Sequence, residues 1–328
     1  MKMRKGKLVI SLDFEIYWGV HDAVSLKKYR DNLLGVRKAI PALLQLFAQY
    51  HINATFATVG LLFFGDKEEL LNNLPQKKPQ YSLPELSPYH AQIALAGNNE
   101  EEDPLRFGLS LIRAIQRANQ EIGCHTFSHY YCLEKGQTPE DFKADLKSAK
   151  NIATQKGIEL KSFIFPRNQY NETYLKICKE EGFTSYRGNE NSVLFSSKTQ
   201  GNETRFRRPF RLADAYINLS GHNCYSDEEM KKDELINIPS SRFLRPYSKR
   251  LSFLDNLKLR RITRGMDYAA KNGLTYHLWW HPHNFGANLK ENLSFLNKIL
   301  LHFRTLNSKY NFESMSMQQL TNEINKEQ

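Results

Sequence analysis

The chain has 328 residues, 41% apolar and 25% charged, the composition of an ordinary globular protein large enough to fold without disulfide staples. A formal net charge of +11 points to an anionic partner, such as a phosphorylated substrate or the inner face of a membrane. The basic residues form no recognised reading motif, which sets nucleic acid aside, and no stretch approaches the ~20 apolar residues of a membrane-spanning helix.

Lys2, Arg4, Lys5 and Lys7 imitate the start of a secretory signal. The apolar run behind them is short, is broken by Asp13 and Glu15, and leads to no cleavage site. Cys124, Cys132, Cys178 and Cys224 have no CxxC spacing and read as free thiols. Both features lead to the expectation of a cytoplasmic protein.

In chain order, KLVISLDFE (7–15) reads as a buried parallel strand ending in carboxylates. Helical spacing follows over 26–50, and INATFATVGLLFF (52–64) is the second strand. Residues 66–107 hold several prolines and an acidic run, and read as an insertion. A helix over 108–119 leads to EIGCH (121–125), the third strand. The segment 138–157 is a helix with Thr138 as N-cap, Pro139 in the first turn and Gly157 as its stop. KSFIFP (161–166) is a strand, 171–182 a helix, and FTSYRG (183–188) a short strand. Residues 189–250 are polar and mixed and yield no assignment, so they are set down as a second insertion. A helix over 251–272, the strand LTYHLWWH (274–281) and a helix from about 289 to 307 complete the pattern. Alternating strands and helices predict an α/β fold, a parallel sheet or barrel, here as one domain over residues 1–328. In such folds chemistry gathers at the C-terminal strand ends.

Two histidines, His125 and His129, lie four residues apart in EIGCHTFSHYY. On an extended strand that spacing covers ~13 Å, too far for both rings to share an ion at ~2.1 Å. On a helical turn it covers about 6 Å. The pair is therefore expected to chelate where the third strand ends at His125 and curls, with His129 one turn later. His277 and His281 repeat the spacing inside a strand and should not chelate together. His277 is expected deep on that strand's face in a structural role, with His281 at the strand's end and His283 as a second candidate for the part His281 plays. Two histidines need a third, oxygen ligand, with positions left open for water. Asp13 and Glu15, two apart, share one face of their strand and can both reach the barrel mouth.

ISLDFE, NATFATVG, EIGCHTFSH and HLWWHPHNFG stand in the order and spacing of the polysaccharide deacetylases. This is the NodB-homology group, carbohydrate esterase family four, which the chain resembles over roughly residues 7–310, in an Asp-x-Glu variant. The resemblance implies a distorted (β/α) barrel of about seven parallel strands, with insertions near 66–107 and 189–250, and a divalent metal, zinc foremost. It casts Asp13 as general base, Glu15, His125 and His129 as metal ligands, and His281 as general acid. Leu278 and the nearby tryptophans, Trp280 among them, would line an acyl pocket. The family's third motif is commonly Arg-x-Pro-aromatic, whereas this chain has FPRNQY, so Arg167 is expected to pair with Asp13 or to contact substrate phosphate.

The implied reaction is removal of an N-acetyl group from an amino sugar. A cytoplasmic enzyme would meet that sugar as a nucleotide- or lipid-linked precursor of a surface glycan. Two basic clusters suit phosphate or an anionic lipid surface: Arg205, Arg207, Arg208 and Arg211, and the run 241–264. Two other readings stand beside it. One is hydrolysis of another non-peptide C–N bond, in a cyclic amide or ureide. The other is a catalytically silent glycan- or membrane-binding module.

Overall fold

The computed structural model describes residues 4–191, 207–232 and 235–326. Its strands and helices alternate: β1 (Lys7–Phe14), α1 (Leu26–Tyr50), β2 (Ala54–Thr58), α2 (Lys67–Asn72), α3 (Leu109–Arg117), β3 (Glu121–Cys124), α4 (Pro139–Gln155), β4 (Ser162–Phe163), α5 (Glu172–Glu180) and β5 (Ser185–Tyr186). Then come α6 (Arg207–Asp214), α7 (Asp227–Met230), β6 (Ile236–Asn237), β7 (Arg242–Phe243), α8 (Asp255–Asn272), β8 (Thr275–Trp280), α9 (Leu289–Tyr310), β9 (Glu313–Met315) and α10 (Met317–Lys326).

The sheet order is β6-β5-β4-β3-β2-β1-β8-β7, with β9 beside the start of β1, and every ladder between these strands is parallel. The two ends of this order are one stretch of chain. Ile238 and Ser240 donate backbone N–H groups to Tyr186 and Gly188, and Ser241 and Leu244 donate to His277 and Trp279. Residues 236–244 therefore bridge β5 and β8 and curl the sheet into the expected distorted barrel. Part of 189–250 is thus barrel wall rather than insertion. The stretch escaped detection because each flank makes only two residues of regular ladder, too short for a period-2 pattern.

Side-chain alternation divides the core in two. Leu8, Ile10, Leu12 and Phe14 of β1 face the helical layer, and Val9 faces the barrel interior with Ile164, Ile238, Met317, Leu320 and Ile324. β9 and α10, beyond the last element expected from sequence, close that interior from the N-terminal end. The expected N-cap Thr138 opens α4, where it forms a reciprocal capping box with Asp141. Gly273 caps α8 in the left-handed conformation (φ 64°). Residues 66–107 contain α2 and irregular turns and pack on the site's outer rim. The Trp18 indole donates to Arg106 O (2.7 Å), and Tyr81 Oη accepts from the Tyr131 N–H (2.8 Å).

Candidate metal centre

Every candidate catalytic group sits at the C-terminal strand ends. On β1, Ser11 and Asp13 share the interior face with Val9. Glu15 lies just past the strand, where Ile16 turns the chain with φ 45°. Gly19 leaves the room for this turn, since a Cβ there would overlap the Glu15 carboxylate. β3 ends at Cys124, and His125 follows it with its N–H donated to Thr58 O (3.1 Å).

HTFSH does curl, but not as a helical turn. Thr126 and His129 take left-handed backbone angles (φ 62° and 58°), which non-glycine residues adopt at a cost. Asp145 of α4 holds the bend from below. Its carboxylate accepts the Phe127 N–H (2.6 Å), the Ser128 N–H (3.1 Å) and the Ser128 hydroxyl. Gly60 and Leu61 donate to the carbonyls of Thr126 and Phe127 (2.9 and 3.0 Å). A Cβ on Gly60 would come within 2.7 Å of the Phe127 ring, so glycine permits this close approach.

The result places both Nε2 atoms on one carboxylate oxygen. Glu15 Oε2 is 3.3 Å from His125 Nε2 and 3.1 Å from His129 Nε2, and all three side chains are buried. The outer nitrogens define the tautomers. His125 Nδ1 lies 2.8 Å from the carbonyl of Ile164, so it must carry the proton. His129 Nδ1 lies 3.1 Å from the Tyr131 hydroxyl, which in turn donates to Asp22 (3.2 Å). Burial pushes the His129 imidazole down to about 4, against the pull of Glu15, so the ring is neutral near pH 7. An imidazole that carries its proton at Nδ1 alone, as His129 does near pH 7, aims a bare Nε2 lone pair at the carboxylate oxygen. Acceptor facing acceptor in a buried site is unfavourable unless a cation lies between them. The donor set, two imidazoles and one carboxylate, is that of a catalytic divalent site with positions left open. Burial alone would raise the Glu15 carboxyl, but the surrounding imidazoles, His281 foremost and then His125 and His129, outweigh it and hold the group well below its ordinary value.

Asp13 is a different kind of acid. Arg187 grips it with two bonds, Nη1 to Oδ1 (2.7 Å) and Nη2 to Oδ2 (2.8 Å). Burial pushes the Asp13 carboxyl up, but the Arg187 guanidinium and the neighbouring histidines outweigh it and bring the group below its usual range. Arg187 itself is held by Ser11 Oγ (3.0 Å) and Asn168 Oδ1 (3.1 Å), and lies 4.1 Å from the Trp279 ring centre. His277 is structural, as expected. Its Nε2 lies 2.8 Å from Ser11 Oγ, its Nδ1 lies 3.0 Å from Ile238 O, and burial lowers it to about 3.

His281 Nε2 lies 3.7 Å from Asp13 Oδ2 and 3.6 Å from Glu15 Oε1, with its ring stacked on His283 at 4.9 Å. These groups line a cavity of about 210 Å³ bounded by Asp13, Glu15, Gly19, His125, His129, Arg167, Asn168, Trp279 and His281.

Two sequence expectations change. Arg167 does not hold Asp13. It pairs with Asp22, lies 3.9 Å from Glu134 and covers the Tyr131 ring at 4.0 Å. Arg187 takes the expected part from the next strand, because the left-handed angles at Arg167 and Asn168 (φ 54° and 52°) turn the FPRN segment at the pocket wall. Leu278 and Trp280 do not line the pocket. Alternation turns both to the helical layer, where Trp280 packs on Phe47 and Phe285, and Trp279 faces the site instead. Arg208 falls in α6, but its side chain lies outside the described residues, as does Arg205 altogether. The residues missed were Arg187, Asp22, Tyr131 and Asp145. Only Arg187 carried a signal, a charged residue at the C-terminal end of the short strand FTSYRG.

Residues 31–186 match the family model described as Polysaccharide deacetylase. That span includes His125, His129 and Arg167 and excludes Asp13, Glu15 and His281. No curated protein sequence matches the chain. Among solved structures, a candidate polysaccharide deacetylase from Mycobacterium smegmatis is similar with a TM-score of 0.60 and 13% identity, covering 100% of this chain and 93% of that one. A 4-alpha-glucanotransferase from Thermococcus litoralis has a TM-score of 0.53 at 10% identity, covering 97% of this chain and 40% of that one. A family 4 carbohydrate esterase from Streptomyces lividans, solved with acetate, has a TM-score of 0.41 at 12% identity, covering 92% and 90%. The first two likenesses show the barrel fold and, between them, that this fold serves more than one chemistry.

Proposed function

We propose that the protein is a metal-dependent N-deacetylase of an amino sugar, a reading that starts from the match of residues 31–186 to the polysaccharide deacetylase family model and the hydrolytic removal of an acetyl group that this implies. The observation that carries the reading is the pair of buried, Nδ1-protonated imidazoles aimed at Glu15, with Asp13 and His281 beside them. Glu15, His125 and His129 would hold the ion, zinc foremost. When bound, it supplies Lewis-acid polarisation of a carbonyl and acidifies water.

The protein's own groups divide the remaining work. Asp13, kept ionised by Arg187, takes the proton of the attacking water. His281, whose Nε2 lies 3.7 Å from Asp13 and 3.6 Å from Glu15, gives a proton to the departing amine. Its Nδ1 lies 3.3 Å from the Asn284 amide, which orients the ring. Each of these proton transfers contributes about 10²–10⁴-fold. The silent-module reading has no use for a buried carboxylate held ionised next to a histidine.

A cavity of about 210 Å³ is smaller than the ~300 Å³ at which drug-sized pockets begin, so it takes the acetamido end while the rest of the substrate stays outside. We assign that substrate to the nucleotide- or lipid-linked precursors of a surface glycan, met in the cytoplasm. The test is metal analysis of the purified protein, combined with acetate release from nucleotide sugars, lipid-linked amino sugars and small ureides. Bound divalent metal with acetate release from an amino sugar supports the reading. Turnover of ureides alone, or full turnover after exhaustive chelation, overturns it.

A further inference from the structure

Exposed apolar side chains concentrate on one side of the molecule. Of the eleven large hydrophobic residues that remain exposed among those described, seven fall in two stretches, 210–219 (Phe210, Leu212, Ile217, Leu219) and 253–268 (Phe253, Leu257, Tyr268), while Leu71, Leu83, Leu95 and Leu301 are scattered elsewhere. Phe253 is 77% exposed and Ile217 60%.

The two stretches are neighbours. Arg261 of α8 donates to the carbonyls of Asp214 (3.3 Å) and Gly221, Arg242 pairs with Asp214, and the His222 and Tyr268 rings stack at 5.0 Å. On α8 itself, Leu257, Arg260, Arg264 and Tyr268 are all exposed at spacings of three, four and four, which is one continuous face of a helix. Phe253 stands a turn before that face, beside the exposed Lys249 and Arg250. Of the eight arginines and lysines in 241–264, Arg242, Lys258 and Arg261 are buried, and Lys249, Arg250, Arg260 and Arg264 are exposed, in a run with one acidic residue, Asp255.

We propose that this side, the outer face of α8 with the 210–219 stretch, docks on a bilayer rich in anionic lipid. Single exposed apolar residues need no explanation, but this grouping does. Apolar tips interleaved with cations that sit at headgroup level match an anionic membrane surface. Position agrees as well. Residues 245–254 follow the C-terminal end of β7, the end at which the metal centre opens, so docking there brings the mouth close to the bilayer plane. The proposal deepens the reading of a lipid-linked substrate and rests on it for its use, although binding itself requires no turnover.

The experiment is flotation of the full chain with vesicles of phosphatidylcholine alone or with one-third phosphatidylglycerol, at low and high salt. Binding is expected to the anionic vesicles and to weaken with salt. Arg260→Glu with Arg264→Glu should reduce it about tenfold or more. Phe253→Ser with Ile217→Ser should reduce it at both salt concentrations. Circular dichroism and turnover of a soluble acetylated substrate should be unchanged, since all four side chains are exposed and remote from the cavity lining. Absence of vesicle binding overturns the proposal, and so does binding that both double variants leave intact. Vesicle binding by a protein that releases acetate from nothing would keep the docking surface and remove the deacetylase reading.

Discussion

Replacing Arg187 by methionine tests the acid–base assignment most directly. The side chain is 1% exposed and both of its Nη atoms bond Asp13. Methionine keeps most of the volume and removes the charge. Asp13 then keeps its burial, which pushes its carboxyl up, and loses the strongest influence that opposes it. An adjacent opposite charge lowers a carboxylate by about 1–3 pH units, so the acidic limb of the kcat/KM profile should move to higher pH by that amount. The sign follows from the role: a base works only when ionised, so raising its pKa cuts the rate on the acid side first. Breaking a buried pair should also cost about 3–5 kcal/mol of stability. The Arg187→Met/Asp13→Asn double variant should recover much of that loss, because it leaves no unpaired carboxylate behind. Arg187→Lys restores the charge without the two-pronged geometry and should fall between. The assays are pH–rate profiles from pH 4 to 9 and urea unfolding. An acidic limb that stays in place in a folded Arg187→Met protein would refute the claim that this pair sets the ionisation of Asp13.

Three further outcomes follow from the geometry. Tyr131→Phe removes the hydroxyl that fixes His129 Nδ1, and should weaken metal affinity about 10–100-fold in competition with a chromogenic chelator; unchanged affinity would leave Tyr131 a packing residue. Gly19→Ala forces the Glu15 carboxylate aside, so metal affinity should fall far more than thermal stability, and a loss of stability with intact affinity would contradict that reading. Burial pushes the Asp145 carboxyl up to about 6, against the donors from Phe127 and Ser128. A carboxyl raised above its unfolded value of ~3.9 stabilises the fold below that value, and this contribution is lost as pH rises through about 6. Urea titrations should therefore show the wild type losing up to about 3 kcal/mol relative to Asp145→Asn between pH 4 and 6.5, and parallel pH dependences would sink the assignment.

The legible parts of this sequence were those whose physics is local. Strand β1 is buried along its whole length and reads as an unbroken apolar run, and α4 announces itself through Thr138, Pro139 and Gly157. The approach of His125 and His129 was legible because two imidazoles four apart can meet on one partner only across a bend, whatever its type. The type was not legible. It depends on Asp145, seventeen residues further along, whose three accepted bonds exist only once α4 packs beneath the loop. The same limit explains Arg167 and Arg187. Both follow short strands at the same barrel mouth, and only the left-handed turn at Arg167–Asn168 decides which guanidinium reaches Asp13. Leu278 and Trp280 are a separate matter. Period-2 alternation from His281 turns them away from the mouth, so the strand pattern and the motif resemblance disagree, and the pattern holds.

The division of labour between the two acids follows from how the barrel interior changes along β1. At the level of Val9 it is apolar and plugged by α10. At Ser11 it turns polar, and the Ser11 hydroxyl links His277 to Arg187. Arg187 thus rises from inside the barrel and meets Asp13 from below with both prongs. A carboxylate bound on both oxygens by a buried guanidinium cannot swing to join the imidazoles. Glu15, one pleat further out and past the last ladder bond of the strand, has no such anchor and can reach both rings. On the proposed roles, the carboxylate that would gain and lose a proton is fixed to a permanent cation, and the one that would meet a metal is left beside two imidazole nitrogens. Exchanging the residues, Asp13→Glu with Glu15→Asp, leaves the total charge unchanged but moves one carboxylate into the Arg187 contact and draws the other back from the rings. If this account is right, that variant should lose metal affinity although every functional group is still present.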